Sequence, residues 1–432
     1  MQASPTSNGM SKILQIFRIR DIRNKILVVA GLLVVFRFLA TIPIPGIDPE
    51  RLAGFLSSSQ LLSFFNLFSG GGLSQMSLMM LGVGPYITAT IIMQLLTMIF
   101  PNLKKLYYEE GPVGRAKFNR WSRYLTVPLA ALQGYGFLNL LINQQVLENL
   151  GTFQTLLNVT VITAGTMILT WFGELITEQK IGNGTSLIIF AGIVSGLPGL
   201  VRNAFVSYEP SALPTYLGFV VLSVLVIAAV VFVNEGERKI PIAYSKRIRG
   251  NKVYGGASSY LPLKVNQAGV IPIIFAISIL LFPQFIAQLS SVFSKDFSVH
   301  FQELVTRLLN NQFIYGSIYF VLVVLFTYFY TAVSFDPKEI AQNLQRTGGF
   351  VPGIRPGEPT GEFLSKVTHR ITLFGALFLG LIAILPIVTQ ILTGIQTLTI
   401  GGTALLIVVS VALETMRQLD SQLVLREYEG IQ

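Results

Sequence analysis

Apolar runs of bilayer length recur along almost the whole of this sequence. They are Lys25 to Ile42, Met76 to Phe100, Trp121 to Ile142, Phe153 to Ile176, Thr185 to Val206, Pro214 to Val233, Asn266 to Leu289, Gln312 to Val333, Arg370 to Leu392 and Ile400 to Leu419. About 20 apolar residues, rising 1.5 Å each as a helix, cross a hydrocarbon core of about 30 Å. Ten such segments make the chain an all-α polytopic membrane protein. Charge agrees: 12% of residues are charged, half the share of about 25% usual in a soluble domain.

One stretch has an awkward length. Leu61 to Phe100 would run about 60 Å as one helix, twice the core. It breaks early, at Ser69-Gly70-Gly71-Gly72. The piece before the break, Leu61 to Phe68, is too short to span. It is apolar enough to dip back into a protein-lined cavity, where non-spanning segments are tolerated.

The placement of Lys and Arg sets the topology. Of 31 such residues, Arg51, Arg202, Lys295 and Arg307 fall in one set of connections, Arg37 falls inside span one, and the rest crowd the other set. This bias puts both termini in the cytoplasm, as an even number of spans requires. Arg37 reads as an interfacial anchor that snorkels. A basic leader of Arg18, Arg20, Arg23 and Lys25 precedes span one. That span runs into "TIPIPG" and not a small-residue cleavage site, so no cleavable signal is expected.

The basic loops are unequal. Pro101 to Arg120 carries Lys104, Lys105, Arg115 and Lys117. Asn234 to Val265 reads as a two-stranded hairpin about Gly250-Asn251, with Lys246, Arg247, Arg249 and Lys252 at its tip. Ser334 to His369 reads as a short helix, then a Pro/Gly-fixed loop presenting Arg355. Topology alone needs a few charges near each span. Loops this long are expected to dock an acidic or nucleic-acid partner.

"GVGPYI", Gly82 to Ile87, and "GVIPII", Gly269 to Ile274, share the pattern G-V-x-P-x-I. Each lies in the second span of a five-span half. Five is odd, so the halves are expected to be inverted in the membrane, with function between them. Pro85 and Pro272 are expected to kink their helices.

Catalysis finds no support. The chain has no cysteine, and His300 and His369 are too few for a histidine metal cluster. No nucleophile–base pair or phosphate-binding loop is legible, and Gly182-Asn183-Gly184 reads as a hinge or cap. No cofactor is expected. An inverted-repeat secondary transporter is the alternative class, but it needs ionisable groups near the midplane, where this chain offers branched aliphatics.

In order along the chain stand "TIPIPGIDPE", "FNLFSGGGLSQ", "GVGPYITATIIMQLL", "KIGNGTSLIIFAGIVSGLP", "LPLKVNQAGVIPIIFA", "FVPGIRPGEPT" and "GGTALLIVV". On these the chain resembles the SecY/Sec61-alpha family, the channel subunits of protein translocases. The resemblance implies a protein-conducting channel of the bacterial plasma (inner) membrane that also releases transmembrane segments sideways. It implies a ring of Val83, Ile87, Thr185, Ile189, Ile274 and Ile407 at the waist. Thr185 departs from the aliphatic expected; either its hydroxyl eases wetting or the register of span five differs. It implies a short re-entrant plug helix at about 61–73, with Phe64, Phe65, Leu67 and Phe68 on a hinge of Gly70, Gly71 and Gly72. Pro85 and Pro272 would flank a lateral gate. Arg247, Arg249, Lys252, Arg355, Lys104 and Lys105 would meet the SecA motor or a translating ribosome. SecE, SecG, signal-bearing precursors and membrane lipid complete the implied partners. The divisions expected are a cytoplasmic segment 1–24, halves 25–206 and 207–419 with cytoplasmic loops 234–265 and 334–369 in the second, and a tail 420–432.

Overall fold

The computed structural model describes residues 18–44, 66, 69, 71–73, 75–143, 145–147, 150–206, 213–244, 247–249, 252–254, 258–290, 300–301, 303–305, 307–308, 311–393 and 401–429. Each of the ten apolar segments overlaps one helix: α1 Arg20–Leu39, α2 Gly84–Ile99, α4 Gly111–Asn143, α5 Thr152–Glu178, α6 Gly184–Val206, α7 Leu213–Glu235, α8 Ile271–Ser290, α9 Gln312–Ser334, α11 Glu358–Thr393 and α12 Gly401–Glu429. Two further helices, α3 Pro101–Tyr108 and α10 Pro337–Arg346, belong to the charged connections. Among the described residues, five helices are long and apolar enough to cross a membrane by themselves. The sixth candidate is α2 with α3, which are bent by 112° at Phe100.

The chain forms two compact units. One comprises Met1–Leu213, Leu281–Arg307 and Ile407–Gln432; the other comprises Pro214–Leu280 and Leu308–Leu406. In the first, α4 packs on α2 and α5, and α5 on α6. In the second, α9 packs along α11. Apolar side chains face outward in quantity, Phe38, Leu156, Val220, Phe232, Val321 and Phe374 among them. Such an outer surface suits lipid and would aggregate in water.

Three expectations change. The second span does not become helical at Met76. Residues 71–73 and 75–83 lie in turns and one short bridge, and α2 starts only at Gly84. Apolarity alone cannot distinguish a buried turn from a helix. Here the chain at 42–44 intervenes: the Ile44 N–H donates to the Met76 carbonyl and the Leu78 N–H to the Ile42 carbonyl, with Pro43 bridged to Ser77. Leu73, Met76, Met79, Met80 and Leu81 are consequently buried. The stretch read as the loop Pro101 to Arg120 is helical through α3 and the start of α4. Met93, Leu106 and Phe118 form its core, which Tyr107 joins. The stretch after Leu419 continues α12 to Glu429.

The second unit carries a small domain outside its spans. Strands β1 Glu237–Tyr244 and β4 Ser258–Lys264 pair antiparallel from Glu237 opposite Lys264 to Ala243 opposite Ser258. Between them, β2 Arg247–Arg249 and β3 Lys252–Tyr254 pair as the predicted tip. An unforeseen strand, β5 Gly349–Phe350, pairs with β1 through Ala243 opposite Phe350 and Tyr244 opposite Gly349.

Candidate functional site

Both copies of the G-V-x-P-x-I pattern adopt one local structure. Gly82 and Gly269 lie in the left-handed region, with φ of +57° and +61°. That region is costly for any residue with a Cβ. The next residues, Val83 and Val270, immediately precede helices α2 and α8, which open at Gly84 and Ile271. The Val83 carbonyl accepts the Ile87 N–H at 3.0 Å, and the Val270 carbonyl accepts the Ile274 N–H at 3.3 Å. Val83, Ile87, Val270 and Ile274 are all buried.

Pro85 and Pro272 therefore do not kink their helices. Each is the second residue of its helix. The N–H that proline lacks has no intrahelical partner at that position, and the fixed φ favours the first turn. The kink expectation assumed a helix already running before each proline; the left-handed glycine prevents that.

The remaining ring residues also sit near helix starts. Thr185 and Ile189 belong to the first two turns of α6, where the Asn183 side chain caps the Ser186 N–H at 3.2 Å. Ile189 is fully buried. Thr185 is half-buried against α5: a Cβ on Gly173 would lie 3.5 Å from both its nitrogen and its hydroxyl. Ile407 is buried near the start of α12. Ile274 belongs to the second unit and the other ring residues to the first.

Of the expected plug, Phe64, Phe65, Leu67, Phe68 and Gly70 lie outside the described residues. The described part is tightly tied. The Ser69 hydroxyl donates to the Asn66 carbonyl at 3.0 Å and accepts the Leu73 N–H at 3.2 Å. Gly71 has a φ of +79°. Gly72 is buried, and a Cβ there would stand 2.8 Å from the Met79 carbonyl oxygen.

The basic residues fall on two built surfaces. Lys104 and Lys105 are exposed on α3. Beside them the Arg115 guanidinium lies 5.9 Å from the Tyr107 ring centre, and Lys117 pairs with Glu110 at 3.8 Å. In the second unit β5 joins the two loops that were read as separate. Ile240 and Leu263 of the hairpin pack with Val351, Leu364 and Val367, and Ile340 of α10 leans on them. The hairpin tip, where Arg249 stands opposite Lys252, and the exposed Arg355 thus grow from one platform. At its base the Asn266 amide donates to the Asn234 side-chain oxygen at 2.8 Å and to the Gly269 carbonyl at 3.2 Å. One buried asparagine ties the end of α7, the hairpin and the left-handed turn before α8.

Sequence reasoning also missed Arg123 of α4, which meets Glu174 of α5 at 2.9 Å. Two opposite charges in neighbouring spans are the signal that would have found it.

Comparison with known proteins follows the same lines. A family model described as SecY matches residues 77–416. The chain is 42% identical to protein translocase subunit SecY of Corynebacterium glutamicum, covering 98% of this chain and 100% of that one. It is 40% identical to the Mycobacterium tuberculosis protein of the same name, over 98% and 99%. Among solved structures, a protein-conducting channel shares the fold at a TM-score of 0.64 and 20% identity, covering 93% of this chain and 92% of that one. Sec61 in a canine ribosome–channel complex from the endoplasmic reticulum does so at 0.61 and 18%, with the same coverage.

Proposed function

Because the chain belongs to the SecY family of protein translocase subunits, we propose that Val83, Ile87, Thr185, Ile189, Ile274 and Ile407 form the waist of its protein-conducting channel. The protein moves unfolded secretory polypeptides across the membrane and releases transmembrane segments laterally. The repeated helix start supports the assignment of the waist. In each half a left-handed glycine ends the preceding turn and delivers a buried aliphatic pair to the first turn of a helix. An aliphatic constriction wets poorly and so resists ions. It has no fixed hydrogen-bond pattern, so polypeptides of any sequence pass without a specific grip. Thr185 adds one hydroxyl to this ring; it lies next to Gly173 of α5, where a Cβ would stand 3.5 Å from it.

The segment 61–73 is the plug in this reading, turning about Gly70 to Gly72, and Pro85 and Pro272 mark the two helices of the lateral gate. Arg247, Arg249, Lys252 and Arg355 on the platform, with Lys104 and Lys105 on α3, receive the SecA motor or the ribosome. SecE and SecG are the companion subunits, in a bacterial plasma membrane with both termini cytoplasmic. The chain acts as a conduit, and energy comes from the docked partner. The halves 25–206 and 207–419 form the inverted repeat.

The chain contains no cysteine, so single cysteines can replace Ile87, Ile274 or Ile407 without a background. A stalled secretory precursor is expected to cross-link to each, and far less to a cysteine at the outward-facing Phe374. Equal labelling of all four would refute the waist.

A further inference from the structure

A groove of about 220 Å³ opens where α9 ends and α11 passes from charged sequence into its apolar span. Its floor holds Thr331, Thr368 and Thr372, all buried, and its rim holds Asp336 and His369, both exposed. Buried threonines in the spans usually satisfy their hydroxyls on the preceding turn. Thr126, Thr170, Thr327 and Thr331 each donate to the carbonyl four residues back. Thr368 is 5% exposed, and among the described residues its hydroxyl has no hydrogen-bond partner. A buried hydroxyl left unpaired carries the full cost of its lost hydration, and an accepting group on a ligand in the groove would satisfy its O–H.

The rim has the opposite character. Asp336 caps α10 with one carboxylate oxygen, Oδ1, which accepts the N–H groups of Lys338 and Glu339. The cap leaves Oδ2 to accept from elsewhere. His369 donates from Nδ1 to the Ser365 carbonyl at 3.0 Å, which makes Nε2 an acceptor in the neutral ring. A ligand matching both levels carries a hydrogen-bonding cation at the rim and an anion at the floor. Below the rim the two helices continue as exposed apolar stripes, Val321 and Leu325 on α9, Leu373 and Leu377 on α11. Their spacing of four keeps each stripe on one face, in line with Ala332 and His369 respectively.

We propose that this groove binds the phosphoethanolamine headgroup of a membrane lipid. Asp336 and His369 accept from its ammonium, the Thr368 hydroxyl donates to its phosphate, and the acyl chains lie along the two stripes. The groove is smaller than the roughly 300–1,000 Å³ of pockets for drug-sized molecules, which suits a headgroup whose remainder lies outside. A choline headgroup brings no N–H to the rim, and a phosphoglycerol brings no cation to Asp336. The proposal stands on the membrane location of α9 and α11, and not on the channel activity.

Native mass spectrometry of the full chain in detergent tests it. The probes are phosphatidylethanolamine, phosphatidylcholine and phosphatidylglycerol with identical acyl chains, and free phosphoethanolamine. Retention of one phosphatidylethanolamine over the other two lipids is expected. Asp336→Asn keeps a side-chain oxygen for the cap and removes the charge; Thr368→Val keeps the shape and removes the donor. Each is expected to weaken retention about tenfold, the worth of one charge-assisted hydrogen bond. Equal retention of all three lipids, or unchanged retention in both variants, would overturn the proposal. So would binding of free phosphoethanolamine as tight as that of the lipid, which marks a site for a soluble ligand. Retention of no lipid, with Thr368→Val melting no lower than the parent, leaves the groove to water and overturns it too. Should the variants fail to fold, a photoreactive phosphatidylethanolamine on the unaltered protein is expected to label 321–336 and 365–377. Labelling confined to other segments is the contrary result.

Discussion

Gly82 and Gly269 hold the same left-handed backbone, at φ +57° and +61°, each five residues before an isoleucine of the proposed waist. The match reaches beyond sequence pattern to hydrogen bonding, because the valine after each glycine accepts the N–H of that isoleucine. Nothing lies within 4 Å of a Cβ built on Gly269. Gly269→Ala therefore tests conformation alone. It is expected to lower stability by about 1–2 kcal/mol, and Gly269→Asn by less, since Asn tolerates this region. Thermal unfolding in detergent measures both; an alanine variant as stable as the parent contradicts the left-handed turn.

The Asn234–Asn266 pair is the tie between platform and spans. Both side chains are buried, so Asn266→Ala strands polar groups as well as removing a bond. A loss of about 1–3 kcal/mol is expected, concentrated at the hairpin base. Hydrogen exchange of β1 and β4 amides reads it. Acceleration there, with α9 and α11 unchanged, is the expected pattern; unchanged protection in β1 and β4 argues against the tie.

The proposed docking is expected to depend on the platform as well as its charges. Leu364 is fully buried among Ile240, Leu263, Val351 and Val367. Leu364→Ala is expected to cost about 2–5 kcal/mol locally and to weaken capture of a translating ribosome without altering any charge. Arg355→Ala is expected to weaken capture and flatten its salt dependence, with the platform intact. Light-scattering or pelleting assays across a salt series separate the two. Identical salt slopes in Arg355→Ala and the parent would remove Arg355 from the contact.

Arg123 and Glu174 bond α4 to α5 at 2.9 Å, with both side chains partly shielded. Removing Arg123 is expected to cost about 1–2 kcal/mol, toward the lower end for a hydrogen bond between charged groups. Lys117, paired with Glu110 at 3.8 Å and more exposed, is expected to cost under about 1 kcal/mol. A double-mutant cycle for each pair gives the coupling. Equal couplings would place the Arg123 pair among ordinary surface pairs.

Hydropathy made the ten apolar segments and the charge bias legible, because a bilayer imposes length and sign on sequence directly. It failed at Met76 to Val83, where apolar residues are buried in turns held by Ile42 and Ile44. No local pattern encodes that long-range pairing. Pro85 and Pro272 were misread for a related reason. A proline kinks or starts a helix according to where the helix begins, and here Gly82 and Gly269 decide that. Strand β5 spans two residues, too few for any period-two signal. The hairpin at Gly250-Asn251 was legible because its turn residues and alternation agree locally.

Gly72 offers a test of the proposed plug. A Cβ there would sit 2.8 Å from the Met79 carbonyl oxygen and 3.0 Å from the Ser77 hydroxyl, which itself accepts the Met79 N–H. Backbone cannot yield as a flexible side chain can, so Gly72→Ala pushes residues 71–73 off the turns at 76–79. Those turns lead directly into Val83 and Ile87. If the segment before Gly72 stops the channel, its displacement raises resting ion conductance. Gly31→Ala, at a position with nothing within 4 Å, is the matched control and is expected to leave conductance unchanged. Planar-bilayer recordings of the two variants decide the matter. A Gly72→Ala channel that folds, translocates and stays as ion-tight as the control would separate this glycine from the seal.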